Sequence, residues 1–272
     1  MLAVGLAGMA WDGGLSRYPA QTQALLVKYG NFRLTMQDFD LGRCFADMDQ
    51  GAEEMVAAGC LVAKGSNDIV LWGDSFAAHL SHGLKGLPER SVIQFTGASC
   101  RPYADPSESA RCASMRAAFR AADDLAPRDL VLAANWAGTA ESEGEAVLLN
   151  AVRATLADLH SAGFSVVLVG QSPVFPTHAW LRHVARAETL PQELRALALN
   201  PTALNASLAQ VASQEGAAFY NPSDALCDAG DGMVPCLAVQ NGQAIFADSG
   251  HFSVLGSALI AQDMAAKGLL GP

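Results

Sequence analysis

Asp68-Ile69-Val70-Leu71-Trp72-Gly73-Asp74-Ser75-Phe76-Ala77-Ala78-His79-Leu80 begins as a short apolar run, turns at Gly73-Asp74-Ser75 and continues with helical character. A serine at a strand-to-helix turn stands at the carboxyl edge of a sheet. The backbone N–H groups of the helix's first turn lie beside it, where a developing oxyanion can be held. Alone, the Gly-Asp-Ser triplet is weak evidence, because serine is also a common helix N-cap. A second cluster near the other end, Phe246-Ala247-Asp248-Ser249-Gly250-His251-Phe252-Ser253, changes the balance. The sequence then holds a nucleophile in Ser75, a base in His251 and an orienting carboxylate in Asp248.

From Asp68 onward, strand and helix signals alternate. Apolar runs at Ile69–Trp72, Val92–Phe95, Leu130–Ala134, Val166–Val169 and Ala218–Tyr220 are each bounded by Gly, Pro or polar turn residues. Helical patterns lie between them at Ser75–Leu84, Glu108–Asp124, Glu143–Ser161, Asn200–Gln214 and Ser253–Lys267, the last with Ser253 as its N-cap. The alternation predicts a three-layer α/β domain with a mostly parallel sheet of about five strands. Ligands of such sheets bind outside the carboxyl ends of the strands. Residues 1–64 show little period and are expected to form an irregular N-terminal extension, with the catalytic domain at 65–272.

Ordered pieces along most of the chain resemble a family. They are Gly14-Leu-Ser-Arg17-Tyr-Pro19, Leu71-Trp-Gly-Asp-Ser75 with His79, Thr96-Gly97-Ala-Ser-Cys100-Arg-Pro102, Leu132-Ala-Ala-Asn135-Trp136, Val169-Gly-Gln-Ser-Pro173, Leu226-Cys227, and Asp248-x-x-His251-Phe-Ser253. The sequence resembles the SGNH (GDSL-type) serine hydrolases, and within them the periplasmic SGNH domains attached to acyltransferase-3 membrane proteins that O-acetylate bacterial surface glycans. The resemblance implies the flavodoxin-like α/β/α SGNH fold, no cofactor, and acyl transfer through a serine. It also implies a membrane acyltransferase domain, in the same or another chain, as the source of acetyl. One departure is Phe76, where many of these domains have a histidine directly after the serine.

Composition limits the partners. The chain has 272 residues, 51% hydrophobic, with 25 glycines, enough for one sizeable domain. Its formal charge of −10, from 27 acidic against 17 basic residues without a basic cluster in sequence, disfavours nucleic acid. An acylated carbohydrate or small ester fits better. The histidines are scattered without paired ligand spacing, so no metal site is expected. No Gly-x-Gly-x-x-Gly follows a strand, so no dinucleotide site is expected either.

Six cysteines, at 44, 60, 100, 112, 227 and 236, fall into sequence-local pairs and include no Cys-x-x-Cys. Three disulfides, Cys44–Cys60, Cys100–Cys112 and Cys227–Cys236, are the favoured reading, against buried free thiols. Disulfides imply an oxidising compartment, the periplasm or cell surface. Met1–Trp11 is apolar but too short to span a bilayer and lacks the basic start of a signal peptide. Either it packs on the domain or it follows a transmembrane helix in a longer reading frame, as the resemblance implies.

By position, Ser75 follows the first strand, Gly97 the second and Asn135 the third, and His251 precedes the last helix, so all reach one sheet edge. His251 can accept the Ser75 proton at neutral pH. The oxyanion donors would be the Ser75 and Gly97 N–H groups and the Asn135 side-chain amide, with a loop-capping role for Asn135 as the alternative. Asp74 is expected to buttress the turn. Trp136 is a candidate sugar-stacking surface and His79 a candidate substrate contact, against core packing for both. The function expected is a serine-dependent enzyme that passes short acyl groups, through an acyl-serine, to water or to a carbohydrate hydroxyl. The rivals are a stand-alone acetylesterase, a non-catalytic glycan-binding module and a flavodoxin-like cofactor binder.

Overall fold

A computed structural model describes residues 12–29, 31–104, 108–176, 181 and 191–271. The Met1–Trp11 segment lies outside them. Strands β1 (Phe45–Ala46), β2 (Ile69–Gly73), β3 (Val92–Gly97), β4 (Asp129–Ala133), β5 (Ser165–Val169) and β7 (Ala218–Tyr220) form a sheet in the order β1-β3-β2-β4-β5-β7. Every pairing in it is parallel. The sheet therefore has six strands where five are expected from sequence. The additional one, β1, is two residues long and is followed by the helix Ala52–Ala57 within the N-terminal region.

A parallel sheet is covered on both faces, which is why β2 is apolar throughout rather than alternating. Successive side chains point to opposite faces. Ile69 and Leu71 join the core layer that includes Phe246, Phe252 and the helix Val254–Ala266. Val70 and Trp72 join the opposite layer with the helices Ala110–Arg120, Glu145–Ser161 and Thr202–Gln214.

The chain passes from β2 to β3 on one side and then crosses to β4 on the other. The carboxyl end of β2 is thus a topological switch point, where crossovers diverge and leave a crevice. Gly73 ends β2 there with φ +146°, and a Cβ on it would lie 1.8 Å from the Ala133 carbonyl oxygen. Only glycine lets β2 run this close to β4 while turning into the helix.

Three other features depart from the sequence expectation. The expected Ser75–Leu84 helix is two short helices, Ser75–Ala78 and Ser81–Lys85. The expected Glu143–Ser161 helix begins at Glu145 and is preceded by a separate helix, Trp136–Glu143, the two meeting at Gly144 with φ +95°. A second sheet, β6 (Glu193–Asn200), β8 (Gly232–Gln240) and β9 (Gln243–Ala244), is antiparallel in the order β6-β8-β9. No described helix is long and apolar enough to cross a membrane.

The disulfides Cys44–Cys60, Cys100–Cys112 and Cys227–Cys236 form as expected. Cys44–Cys60 closes a loop of sequence separation 16 and ties the edge strand β1 to the turn after Ala52–Ala57. Replacing both cysteines by serine should lower unfolding free energy by about 3 kcal/mol, the loop-closure entropy restored to the unfolded chain. Urea denaturation of the variant beside the parent checks this.

Candidate active site

Asp74 organises the end of β2. Its Oδ1 accepts from the Phe76 N–H at 2.7 Å, capping the first short helix, and its Oδ2 accepts from the Asn135 N–H at 2.9 Å beyond β4. One buried carboxylate thereby fixes the serine turn and the Asn135 loop relative to each other. Burial pushes its pKa up to about 6, against the pull of these two N–H donors and of the His251 and Arg101 charges. The geometry gives Asp74 the buttressing role expected for it.

Asp248 and His251 lie on one tight loop. Asp248 Oδ1 accepts from the Gly250 and His251 N–H groups, both at 2.8 Å, and Oδ2 bonds His251 Nδ1 at 2.7 Å. Partial burial alone would raise the Asp248 pKa, but the His251 hydrogen bond and charge with the two backbone donors hold it at about 2. An ionised carboxylate only accepts, so the Nδ1 atom carries the proton and the Nε2 lone pair faces outward. His251 Nε2 lies 2.9 Å from Ser75 Oγ. Ser75, Asp248 and His251 are thus in one hydrogen-bonded chain, although Ser75 and His251 are 176 positions apart.

Aromatic rings wall the imidazole. The Phe76 ring centre is 4.4 Å and that of Phe39 5.9 Å from His251. Where the family resemblance would place a histidine, this chain has a phenylalanine that packs against the His251 ring. Phe39 carried no signal in the sequence, since it lies far from every motif.

The oxyanion candidates gather at the same edge. Ser75 occupies the first helical position, and its N–H donates to no acceptor among the described residues. Gly97 follows Thr96, which pairs with Gly73. A Cβ on Gly97 would come 2.7 Å from Met115 Cε, so the methionine side chain packs directly on this glycine. Asn135 caps the Trp136–Glu143 helix through Oδ1, which accepts from the Gly138 N–H at 3.1 Å. The residue is exposed and its Nδ2 donates to nothing described, so capping leaves the amide donor available.

Of the two readings weighed for Trp136 and His79, substrate contact and core packing, the structure gives core packing for both. Trp136 is 0% exposed and donates its Nε1–H to the Val169 carbonyl at 2.8 Å, so it is core and presents no stacking surface. His79 is 2% exposed, and its Nδ1 accepts the Phe252 N–H at 3.2 Å. Burial, and then the His251 charge, push its pKa well below the usual value. It supports the loop that carries His251 and is buried away from the surface. His82, on the next short helix, is exposed.

The segment Gly170-Gln171-Ser172 has a positioning role that sequence did not assign. Gln171 Oε1 accepts from the Ala137 N–H at 2.9 Å, Asn205 brackets the Gln171 backbone, and Ser172 Oγ donates to the Gly250 carbonyl at 2.8 Å. These buried bonds join the Asn135 loop to the His251 loop.

Because the Asp248 pKa is depressed below its usual 3.8, its stabilising contribution is present above that pH and is lost as pH falls through about 2. The unfolding free-energy gap between the parent and Asp248→Ala should narrow by about 2 kcal/mol from pH 5 towards pH 2. Denaturation at a series of pH values measures it.

Comparison with known proteins follows the same lines. A family model described as "SGNH domain (fused to AT3 domains)" matches residues 43–266. The periplasmic domain of the lipopolysaccharide acetyltransferase of Salmonella ser. Paratyphi A has a similar fold, with TM-score 0.69 and 18% identity over 89% of this chain and 96% of that one. A carbohydrate acetylesterase of Sinorhizobium meliloti gives TM-score 0.46 and 13% identity over 74% of this chain and 97% of that one. No curated protein matches the sequence.

Proposed function

Since the chain belongs to the SGNH domains that are fused to AT3 domains, we propose that it is a serine acyl-transfer enzyme that moves O-acetyl groups on a surface carbohydrate through an acyl-Ser75 intermediate. The observation that carries this reading is the unbroken chain Asp248 Oδ2, His251 Nδ1, His251 Nε2, Ser75 Oγ, at 2.7 and 2.9 Å. Catalysis is assigned to residues 65–272, with 1–64 as an extension whose Phe39 packs beside the base.

In the proposed cycle, His251 Nε2 takes the Ser75 proton as Oγ bonds to the acyl carbon. The carbonyl oxygen becomes an oxyanion, held by the Ser75 and Gly97 N–H groups and the Asn135 amide. Each such donor is worth about 3–4 kcal/mol in the transition state. Collapse breaks the bond to the donor's leaving oxygen or sulfur, which receives the proton from His251. His251 then deprotonates an incoming hydroxyl, which attacks the acyl-serine and regenerates Ser75. Asp248 holds the productive tautomer and stabilises the imidazolium.

Membership in the AT3-fused family favours a sugar hydroxyl as acceptor and a membrane acyltransferase domain as acetyl donor. It equally favours a periplasmic, membrane-tethered location, and the Salmonella domain of like fold is itself periplasmic. The disulfides agree with an oxidising compartment. With water as acceptor, the same residues give an acetylesterase.

The purified protein should turn over p-nitrophenyl acetate and show an acetyl adduct on Ser75 by mass spectrometry, with both lost in Ser75→Ala. Asp248→Asn should lower kcat by a factor of about 10³–10⁴ by favouring the wrong tautomer. A folded parent protein giving neither turnover nor adduct would point to a glycan-binding module instead.

A further inference from the structure

Away from the triad, the open edge of the main sheet holds a cavity of about 370 Å³ whose lining includes Arg43, Lys64, Lys85 and Arg90 but only one carboxylate, Asp40. Such a concentration is unexpected in a chain with a formal charge of −10. It is invisible in sequence, because the four cations come from separate segments that folding gathers beside β3.

Their hydrogen-bonding capacity is unevenly used. Arg90 is committed to Asp129 and to the Gly271 carbonyl. Lys85 donates to Gln94 Oε1 at 2.8 Å and meets Asp40 at 3.3 Å. Arg43 and Lys64 are exposed, and their side chains make no hydrogen bond or ion pair among the described residues. Two full cationic heads therefore stand with donors that meet no acceptor among the described residues.

The backbone adds to this. β1 pairs only with Thr96 and Gly97, so the Val92–Gln94 stretch of β3 has no strand on that side. Thr96 donates its N–H to the carbonyl of Cys44, the residue just before β1. Peptide groups two residues apart face the same edge, which turns the Gln94 N–H toward the cavity as a further donor.

We propose that this cavity binds a phosphate-type oxyanion, held by Arg43 and Lys64 with Lys85 behind them, and carried on a phosphorylated sugar or an anionic phospholipid headgroup. The site goes beyond acyl transfer and does not depend on it. A phosphate monoester brings a charge of about −1.5 to −2 and three strong acceptors, which matches several cationic donors around one concavity. A neutral sugar would leave those cations uncompensated.

The test uses the full chain and Arg43→Gln/Lys64→Gln, with thermal unfolding as the control for folding. Isothermal titration with inorganic phosphate and with glucose 1-phosphate reads the soluble source. Co-sedimentation with phosphatidylcholine vesicles, with and without phosphatidylglycerol, at low and high salt reads the lipid source. The parent should bind at least one phosphate probe in preference to chloride at matched ionic strength, and the double variant should bind it about tenfold more weakly or less. Glucose 1-phosphate binding without sedimentation identifies a soluble sugar phosphate; sedimentation that requires phosphatidylglycerol and is reversed by salt identifies a headgroup. Binding of neither probe, or binding undiminished in the folded double variant, overturns the proposal.

Discussion

Burial of the Asp74 carboxylate is the constraint on which the site depends. A carboxylate in the interior costs several kcal/mol unless hydrogen bonds compensate it. Here its two oxygens accept one N–H from each side of the switch point, Phe76 after β2 and Asn135 after β4. With a pKa raised to about 6, the group favours the folded state most below its usual 3.8, and this contribution falls away as pH rises through the raised value. The ionised form is therefore retained at a cost in stability. What it secures is geometric, because a neutral amide at this position would offer a single acceptor. The helix bearing Ser75 and the loop bearing Asn135 would then no longer share an anchor.

The Asp248–His251 pair depends on its surroundings in a different way. Its members are three residues apart, and the Asp248 side chain accepts the backbone N–H groups of Gly250 and His251, so the turn builds the pair locally. The Ser75–His251 distance is instead a long-range property. It relies on Ser172 gripping the Gly250 carbonyl, on Phe175 donating its N–H to Ser249 at 2.7 Å, and on His79 receiving the Phe252 N–H. Neutral His79 suits this work. A proton on its Nδ1 would remove the acceptor and set a second positive charge beside the His251 ring, whose centre is 5.8 Å away.

How much could be read in the sequence follows from which signals are local. β2 through β5 and β7 are apolar runs between turn residues, and strands covered on both faces leave that mark. The proximity of Ser75, Asp248 and His251 was legible because strand ends and the Asp248–His251 spacing fix it. β6 was not, since in Glu193–Asn200 the alternation is inverted: alanines 196 and 198 are buried while Leu197 and Leu199 are 54% and 51% exposed. Its Glu, Leu, Arg and Ala content reads as helix, and only pairing with β8 makes it a strand. For Trp136 the sequence left sugar stacking and core packing both open, and the indole N–H that reaches back to the Val169 carbonyl turns the ring into the core.

The two ends of the hydrogen-bonded chain therefore respond differently to perturbation. Changes that loosen packing should disturb the Ser75–His251 contact first, because it sums small displacements across the β2 turn, the segment after β5 and the loop before the last helix. The Asp248–His251 contact is buffered by its own turn. The last helix reinforces this: Ser253 caps it, accepting from the Gly256 N–H, while its hydroxyl donates to the Ala244 carbonyl of β9. The loop is thus pinned at its exit to both a helix and the antiparallel sheet. The second sheet, although remote from Ser75, joins through β9 the frame that sets where His251 stands, whereas Asp74 and Gly73 set the turn that carries Ser75.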